Sequence, residues 1–536
     1  MPFTCALRPH VDTLAHGLWG QPLWDRRPSI CTFSSRVMLA LTVSAALVWP
    51  AHAQNAPTST PHSPAPDKLP RPVLQALQQA QVPPSALSVQ ITPLPDSPSS
   101  GKAPRQLSYQ AQASVNPASV MKLFTTYAGL SLLGPEHVWR NRIYTDGLLR
   151  DGVLLGNLIV RGSGDPKLVV ERLQEMLVQV QAAGVREVRG DIVLDRSVFD
   201  VRERSEPFDD EPLRPYNVSP DGLLVNFNAV VYKFTPDTAG GAVQVRFEPP
   251  LAGLSVTAQM PATQGPCNDW RRQLQADFSQ PLQVRFAGSY PIRCGEREWP
   301  VAYPEPELYA PRVLQAMWLV AGGRLSGQVR YGSTPSTARL LLEAPSLPLA
   351  QVIQDINKFS NNVMAQQLFL TLSSELGAPG RFEASRLRLS LWWRNAFPGH
   401  DEPVMDNGSG LSRTERSTAR ALTALLQAAH ASPHAQPFVN SLSLAGVDGT
   451  TARLKERNPQ SPVIGQAWLK TGSLRDVASV AGYAQGQSGQ RYSVVAIINH
   501  PNANQARPAL DQLLEWTVRD TNNSDSARPA AKAQRP

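Results

Sequence analysis

One stretch near the front of the chain limits the possible folds more than any other. Asn116-Pro117 is followed by Val120, Met121, Leu123, Phe124, Tyr127, Leu130 and Leu133, with Gly134 just beyond. Asn supplies an N-cap, Pro a first helical residue and Gly a C-terminal stop, so the spacing predicts a helix that opens at Pro117. Its apolar positions cover most of the circumference, which predicts burial on nearly every side. The first turn nevertheless carries Ser119 and Lys122.

On a helix, positions i and i+3 share a face, which brings the Lys122 amine within reach of the Ser119 hydroxyl. A serine hydroxyl is a weak nucleophile and needs an adjacent base. A lysine serves if burial and a neighbouring cation lower its pKa. The positive end of the helix favours an alkoxide and disfavours an ammonium, in the same direction. Ser-x-x-Lys alone carries little weight, since Ser99-Ser100-Gly101-Lys102 matches it too, in a Pro/Ser/Gly-rich segment with no helical pattern.

Two further motifs follow in order. Lys470-Thr471-Gly472-Ser473 lies on the strand-like run Ala467–Leu474. Lys470 is the second cation, and with Thr471 it suits a substrate carboxylate. Gly472 leaves room for a substrate backbone, and the Ser473 N–H is placed to join that of Ser119 in an oxyanion hole. Ser360-Asn361-Asn362 opens a helical stretch whose first turn directs Ser360 and Asn362 into the same cleft, although Ser360 also reads as a plain N-cap. Ser114-Val115-Asn116 fits the Ser-x-Asn pattern equally well, so order and context distinguish the copies.

The chain has 536 residues, 42% of them hydrophobic, enough for two or more domains. Its net charge of +8 is scattered and Arg-dominated without a basic run, which argues against nucleic acid as a partner. Arg36, the apolar run from Val37 to Trp49 and Ala51-His52-Ala53 form a secretory signal peptide over residues 1–53. No membrane span is expected once it is cleaved. Cleavage removes Cys5 and Cys31 and leaves Cys267 and Cys294, which in an exported protein fit one disulfide. Two free thiols or a two-cysteine metal site are the alternatives, the latter without a nearby His. Residues 54–68 read as a linker and 521–536 as a disordered tail.

Helical periodicity marks Leu69–Val82, Lys167–Ala183, Ala310–Ala321, Leu349–Leu372 and Ala509–Arg519. Strand-like runs mark Leu87–Thr92, Val153–Val160, Val185–Leu194, Val243–Phe247, Leu282–Phe286, Val477–Ala484 and Tyr492–Asn499. The expected architecture is α+β: one domain from 69–139 and 303–520, interrupted by a β-rich insertion over 140–302. Asp165, between Gly164 and Pro166, reads as a turn residue; Asp406 and Asp448, in Gly-rich loops, read as caps of loop N–H groups.

Taken together, the three motifs resemble those of the serine penicillin-recognising enzymes. Their wide spacing is similar to that of the class C low-molecular-mass penicillin-binding proteins, the D-alanyl-D-alanine carboxypeptidase/endopeptidase family of DacB type. Gly164-Asp165-Pro166-Lys167-Leu168, Gly190-Asp191-Ile192, Asp406-Asn407-Gly408-Ser409-Gly410-Leu411-Ser412-Arg413, Leu444 through Thr450 and Ala481-Gly482-Tyr483 add to the likeness. Asn407 is a departure, since many relatives have Asp directly before the first glycine.

The resemblance implies that Ser119 attacks the carbonyl between two D-alanines and Lys122 accepts its proton. Ser360, Asn362 and Lys470 would pass a proton to the leaving amine, and Thr471 with Lys470 would hold the terminal carboxylate. Water then releases the acyl-enzyme, and β-lactams act as slow-leaving covalent mimics. The implied location is the periplasm and the implied partner peptidoglycan peptides, with no cofactor or metal. A nested smaller domain within the insertion is also implied, and so is an acidic residue there that reads the diaminopimelate amine; Asp210 and Glu211 are the candidates. A β-lactamase, or a non-catalytic wall-binding scaffold with the same fold, are the competing readings.

Overall fold

The computed structural model describes residues 68–95, 104–201, 207–237 and 241–521. The predicted signal peptide, nearly all of the linker, the Ser99–Lys102 motif copy and all of the predicted tail but Thr521 lie outside the described residues.

A six-stranded antiparallel sheet organises the first unit. Its strands run in the order Leu107–Tyr109, Leu87–Pro93, Arg491–Asn499, Val477–Gln485, Ala467–Leu474 and Ser443–Leu444. The central strands are buried on both faces, so their sequences are continuously apolar rather than alternating. Alternate residues nonetheless serve different cores. Val494, Ala496 and Ile498 pack with helices Arg71–Gln79 and Arg507–Val518. Val495 and Ile497 pack with Lys122–Leu133, Leu349–Lys358, Asn362–Ser374, Phe382–Ala396 and Ala419–Ala431. This is an α+β arrangement, with the Lys122–Leu133 helix enclosed by the second set. Every residue from Lys122 to Leu130 is buried.

A second core joins residues from Ile143 to Ala344. It holds a five-stranded sheet (Val329–Tyr331, Ile192–Asp195, Leu158–Arg161, Arg140–Thr145, Arg339–Pro345) and a four-stranded one (Arg324–Leu325, Glu187–Val188, Val153–Leu155, Leu148–Arg150). The runs Val153–Val160 and Val185–Leu194 are therefore each divided between two sheets, broken at Gly156 and Gly190. A Cβ on Gly190 would stand 2.7 Å from the Gly156 carbonyl oxygen. A further five-stranded sheet and a three-stranded one lie between Ala229 and Ala302. Among them Cys267 and Cys294 form a disulfide.

Three expectations need correction. The insertion does not return at 303: helix Pro306–Val320 buries Tyr309, Val313, Leu314 and Trp318 in the second core, and the strands through Pro345 pair with Arg140–Thr145. The helix predicted from Pro117 begins as a 3₁₀ turn, Ala118–Met121, before α-helix from Lys122. Asn116 causes this, because its Oδ1 accepts the Ala118 N–H (2.8 Å) while Ala118 takes a left-handed φ of 48°. The span Leu349–Leu372 breaks into two helices at Ser360, whose φ is 58°. Asn361, not Ser360, caps the second, accepting the Met364 N–H at 3.1 Å.

Candidate active site

The left-handed backbones fall at Ala118, which directly precedes Ser119, and at Ser360 itself. Each costs about 1–3 kcal/mol in a residue with a Cβ, and such strain concentrates at functional sites. Surrounding contacts hold the Ala118 turn in place. Ser479 Oγ donates to Pro117 O (2.7 Å), and Asn499 Nδ2 donates to Asn116 O (2.9 Å), which fastens the turn to the sheet. Gly472 is where the strand passes the turn: a Cβ there would stand 2.2 Å from Ser479 Oγ and 3.1 Å from the Ser119 nitrogen.

Lys122 and Lys470 are both fully buried. Lys122 Nζ donates to Ser119 Oγ (3.0 Å), to Asn362 Oδ1 (2.6 Å) and to the Ser409 carbonyl. Asn362 is oriented by its Nδ2, which donates to Tyr216 O at 3.2 Å. Two of the three partners of Lys122 are thus pure acceptors. They claim both N–H bonds of a neutral amine, and its lone pair is left facing the Ser119 hydroxyl. Burial holds the Lys122 pKa well below the usual lysine range; the Lys470 charge lowers it further, and the Glu415 charge opposes this.

Lys470 Nζ donates to Ser360 Oγ (3.0 Å) and to Thr471 O (2.7 Å), and burial lowers its pKa to about 7. The unfolded chain keeps lysine's ordinary value near 10.5. Between these values the unfolded state binds more protons, so Lys470 makes stability rise with pH from about 7 towards 10.5. Denaturant unfolding across that range is expected to show a shallower rise in Lys470→Met than in the natural chain; equal slopes would refute the assignment.

The structure thus links Ser119, Lys122 and Asn362 through one amine and Ser360, Thr471 and Lys470 through the other. Thr471 Oγ1 also donates to Thr450 Oγ1 (2.8 Å). Ser473 is placed differently: its side chain accepts from Arg507 on the last helix. Asp210 is exposed, and Glu211 is exposed and paired with Arg214 (3.1 Å); neither hydrogen-bonds or ion-pairs with the cluster. Asp209, beside them, accepts from Tyr216 Oη and Asn217 Nδ2, both at 2.8 Å, and so steadies the segment whose carbonyl orients Asn362. Asp165 accepts the Lys167 N–H (2.9 Å) in a turn, and Asp448 accepts that of Leu444 (2.7 Å). Asp406 does not cap its loop. The N–H groups of Asp406, Asn407 and Gly408 all donate to Glu415 Oε1, at 3.0, 3.1 and 2.9 Å.

Ser409, Glu415, Tyr216, Ser479 and Arg507 escaped the motif reading. The flanking glycines of Ser409 signal a close backbone approach: Gly410 has φ 79°, and a Cβ there would stand 2.0 Å from Ala118 O. Ser479 is a single serine in a largely apolar strand. The other three carry no local signal.

A sequence model of the D-Ala-D-Ala carboxypeptidase 3 (S13) family matches residues 77–519. The chain is 24% identical to D-alanyl-D-alanine carboxypeptidase DacB of Haemophilus influenzae over 73% of its own length and 82% of that protein. It is 28% identical to a D-alanyl-D-alanine carboxypeptidase of Actinomadura sp. (strain R39), covering 71% of this chain and 72% of that one. Its fold is similar to the crystal structure of penicillin binding protein 4 (dacB) from Haemophilus influenzae, with a TM-score of 0.64, 22% identity, and coverage of 82% of this chain and 99% of the other. With the family match spanning most of its length and the serine–lysine cluster inside it, the chain belongs to the D-Ala-D-Ala carboxypeptidase 3 (S13) family.

Proposed function

We propose that this protein cleaves D-alanyl peptides of peptidoglycan through a Ser119 acyl-enzyme, as both carboxypeptidase and DD-endopeptidase, and that β-lactams acylate the same serine. The observation that carries the reading is the Lys122 amine, whose two pure acceptors leave only its third position for the Ser119 proton. In acylation, Ser119 Oγ bonds to the carbonyl carbon as its proton moves to Lys122. The resulting oxyanion lies between the N–H groups of Ser119 and Ser473. Collapse breaks the C–N bond, and the proton taken up by Lys122 passes through Ser360, held by Lys470, to the leaving amine, which leaves Lys122 neutral again. Water then attacks the ester, with Lys122 again as base.

Substrate orientation follows from the sheet. Ser443–Leu444 pairs only with Trp468 and Leu469, so from Lys470 onward the strand edge has no partner strand among the described residues. An extended peptide can add there, its terminal carboxylate meeting Lys470 and Thr471. The signal-peptide pattern over residues 1–53 supports a periplasmic location for the mature enzyme.

The test is mass spectrometry of the purified chain from residue 54 onward after incubation with penicillin. One added ligand per chain, mapped to the peptide containing Ser119, is expected. Incubation with pentapeptide and cross-linked muropeptides should yield free D-alanine and split dimers. No adduct, or an adduct on another residue, would overturn the reading. Rapid turnover of penicillin would replace it with a β-lactamase.

A further inference from the structure

We infer that Glu415 is the buried counter-ion that sustains a single proton on the Lys122–Lys470 pair and, through the 406–409 loop, aims the free electron pair of Lys122 at Ser119. Glu415 is a positioning residue that acts through this loop. The inference rests on the acyl-transfer reading above.

Lys122, Lys470 and Glu415 are all fully buried, and the charges of Lys470 and Glu415 both act on Lys122. Two ammonium groups beside one carboxylate would leave a net charge without solvent, which is costly; one ammonium with one carboxylate leaves none. A single anion therefore favours one protonated and one neutral lysine, the state that general-base catalysis requires. The other charges near Glu415 do not supply that balance. Asp406, on the loop, has a half-exposed side chain and faces Arg386 of helix Phe382–Ala396, which also donates to the Asp406 carbonyl (3.0 Å). Arg413 is engaged with Phe208 and Asp476, and Arg416 donates to the Arg413 and Glu415 carbonyls.

The hydrogen bonds favour the anionic form of Glu415. Three N–H groups converge on Oε1, while Oε2 is buried with no hydrogen-bond partner among the described residues. Burial acts the other way and raises its pKa. The three donors favour the carboxylate over the acid. The same three bonds fix the loop. Gly408 O accepts from Thr125 Oγ1 (2.6 Å), and the next carbonyl, that of Ser409, accepts from Lys122. Asn407 completes it, with Oδ1 accepting the Ser409 N–H (3.0 Å) and hydroxyl (2.6 Å).

The experiment is the pH profile of penicillin acylation for the natural chain and Glu415→Gln, with sites counted by adduct stoichiometry. Glutamine Oε1 can still accept the three N–H groups, but the charge is gone. Without the anion, protonated Lys122 is less favoured, so the ascending limb should move to lower pH by roughly 0.5–1 unit. A limb that stays in place, or moves to higher pH, overturns the inference. If Glu415→Gln does not accumulate folded, Glu415→Asp keeps the charge at shorter reach. Its limb should stay in place while acylation slows; a displaced limb or an unchanged rate overturns the inference instead. A natural chain that forms no adduct at all refutes the acyl-transfer reading, a separate outcome.

Discussion

Replacing Ser119 with alanine is expected to abolish the covalent penicillin adduct and to lower D-alanine release by roughly 10⁴-fold or more, because no other group can take the acyl chain. The fold should survive. Ser119 is half-buried, and among the described residues its hydroxyl bonds only to Lys122, which keeps Asn362 and Ser409 as partners. Loss of one such bond costs about 1 kcal/mol. Lys470 and Thr471 remain to hold a ligand carboxylate, so the alanine variant should still bind penicillin reversibly. Intact-mass spectrometry and equilibrium dialysis measure the two effects separately. An adduct retained in Ser119→Ala would remove Ser119 from the mechanism.

The site was legible where its chemistry is local and obscure where it is assembled from distant segments. Ser119 and Lys122 are three residues apart on one turn, so helix geometry alone puts them in contact. Lys470 and Thr471 sit on a strand whose bounds, Ala467–Leu474, match the strand-like run in the sequence. Glu415 joins the site only through the loop it folds, and Arg507 only through the last helix; neither has a neighbour in sequence that betrays a partner. Periodicity also misplaced the helix start at Pro117 and ran Leu349–Leu372 through the break at Ser360, since a side chain accepting a nearby N–H, or a left-handed residue, bends the chain without changing its apolar pattern. The insertion's end was set too early because Ala310–Ala321 is amphipathic, and periodicity does not say which core a helix covers.

Lys122→Met is the sharper test of the chemistry, because it leaves the nucleophile in place. Methionine has a similar length and no charge to bury, so the enclosed helix should fold around it. Asn362 Oδ1 and the Ser409 carbonyl lose their donor, a destabilisation of about 1–3 kcal/mol. Ser119 then has no base, since the other lysine is committed to Ser360 and to the Thr471 carbonyl. General-base catalysis is worth roughly 10²–10⁴-fold, so penicillin acylation should slow by that factor. The residual rate should also lose the ascending limb assigned to Lys122 and rise instead with hydroxide. Stopped-flow acylation between pH 5 and pH 10 distinguishes these outcomes. A variant that keeps the natural limb would show that another group takes the Ser119 proton, and Lys470, with its pKa near 7, would be the first to examine.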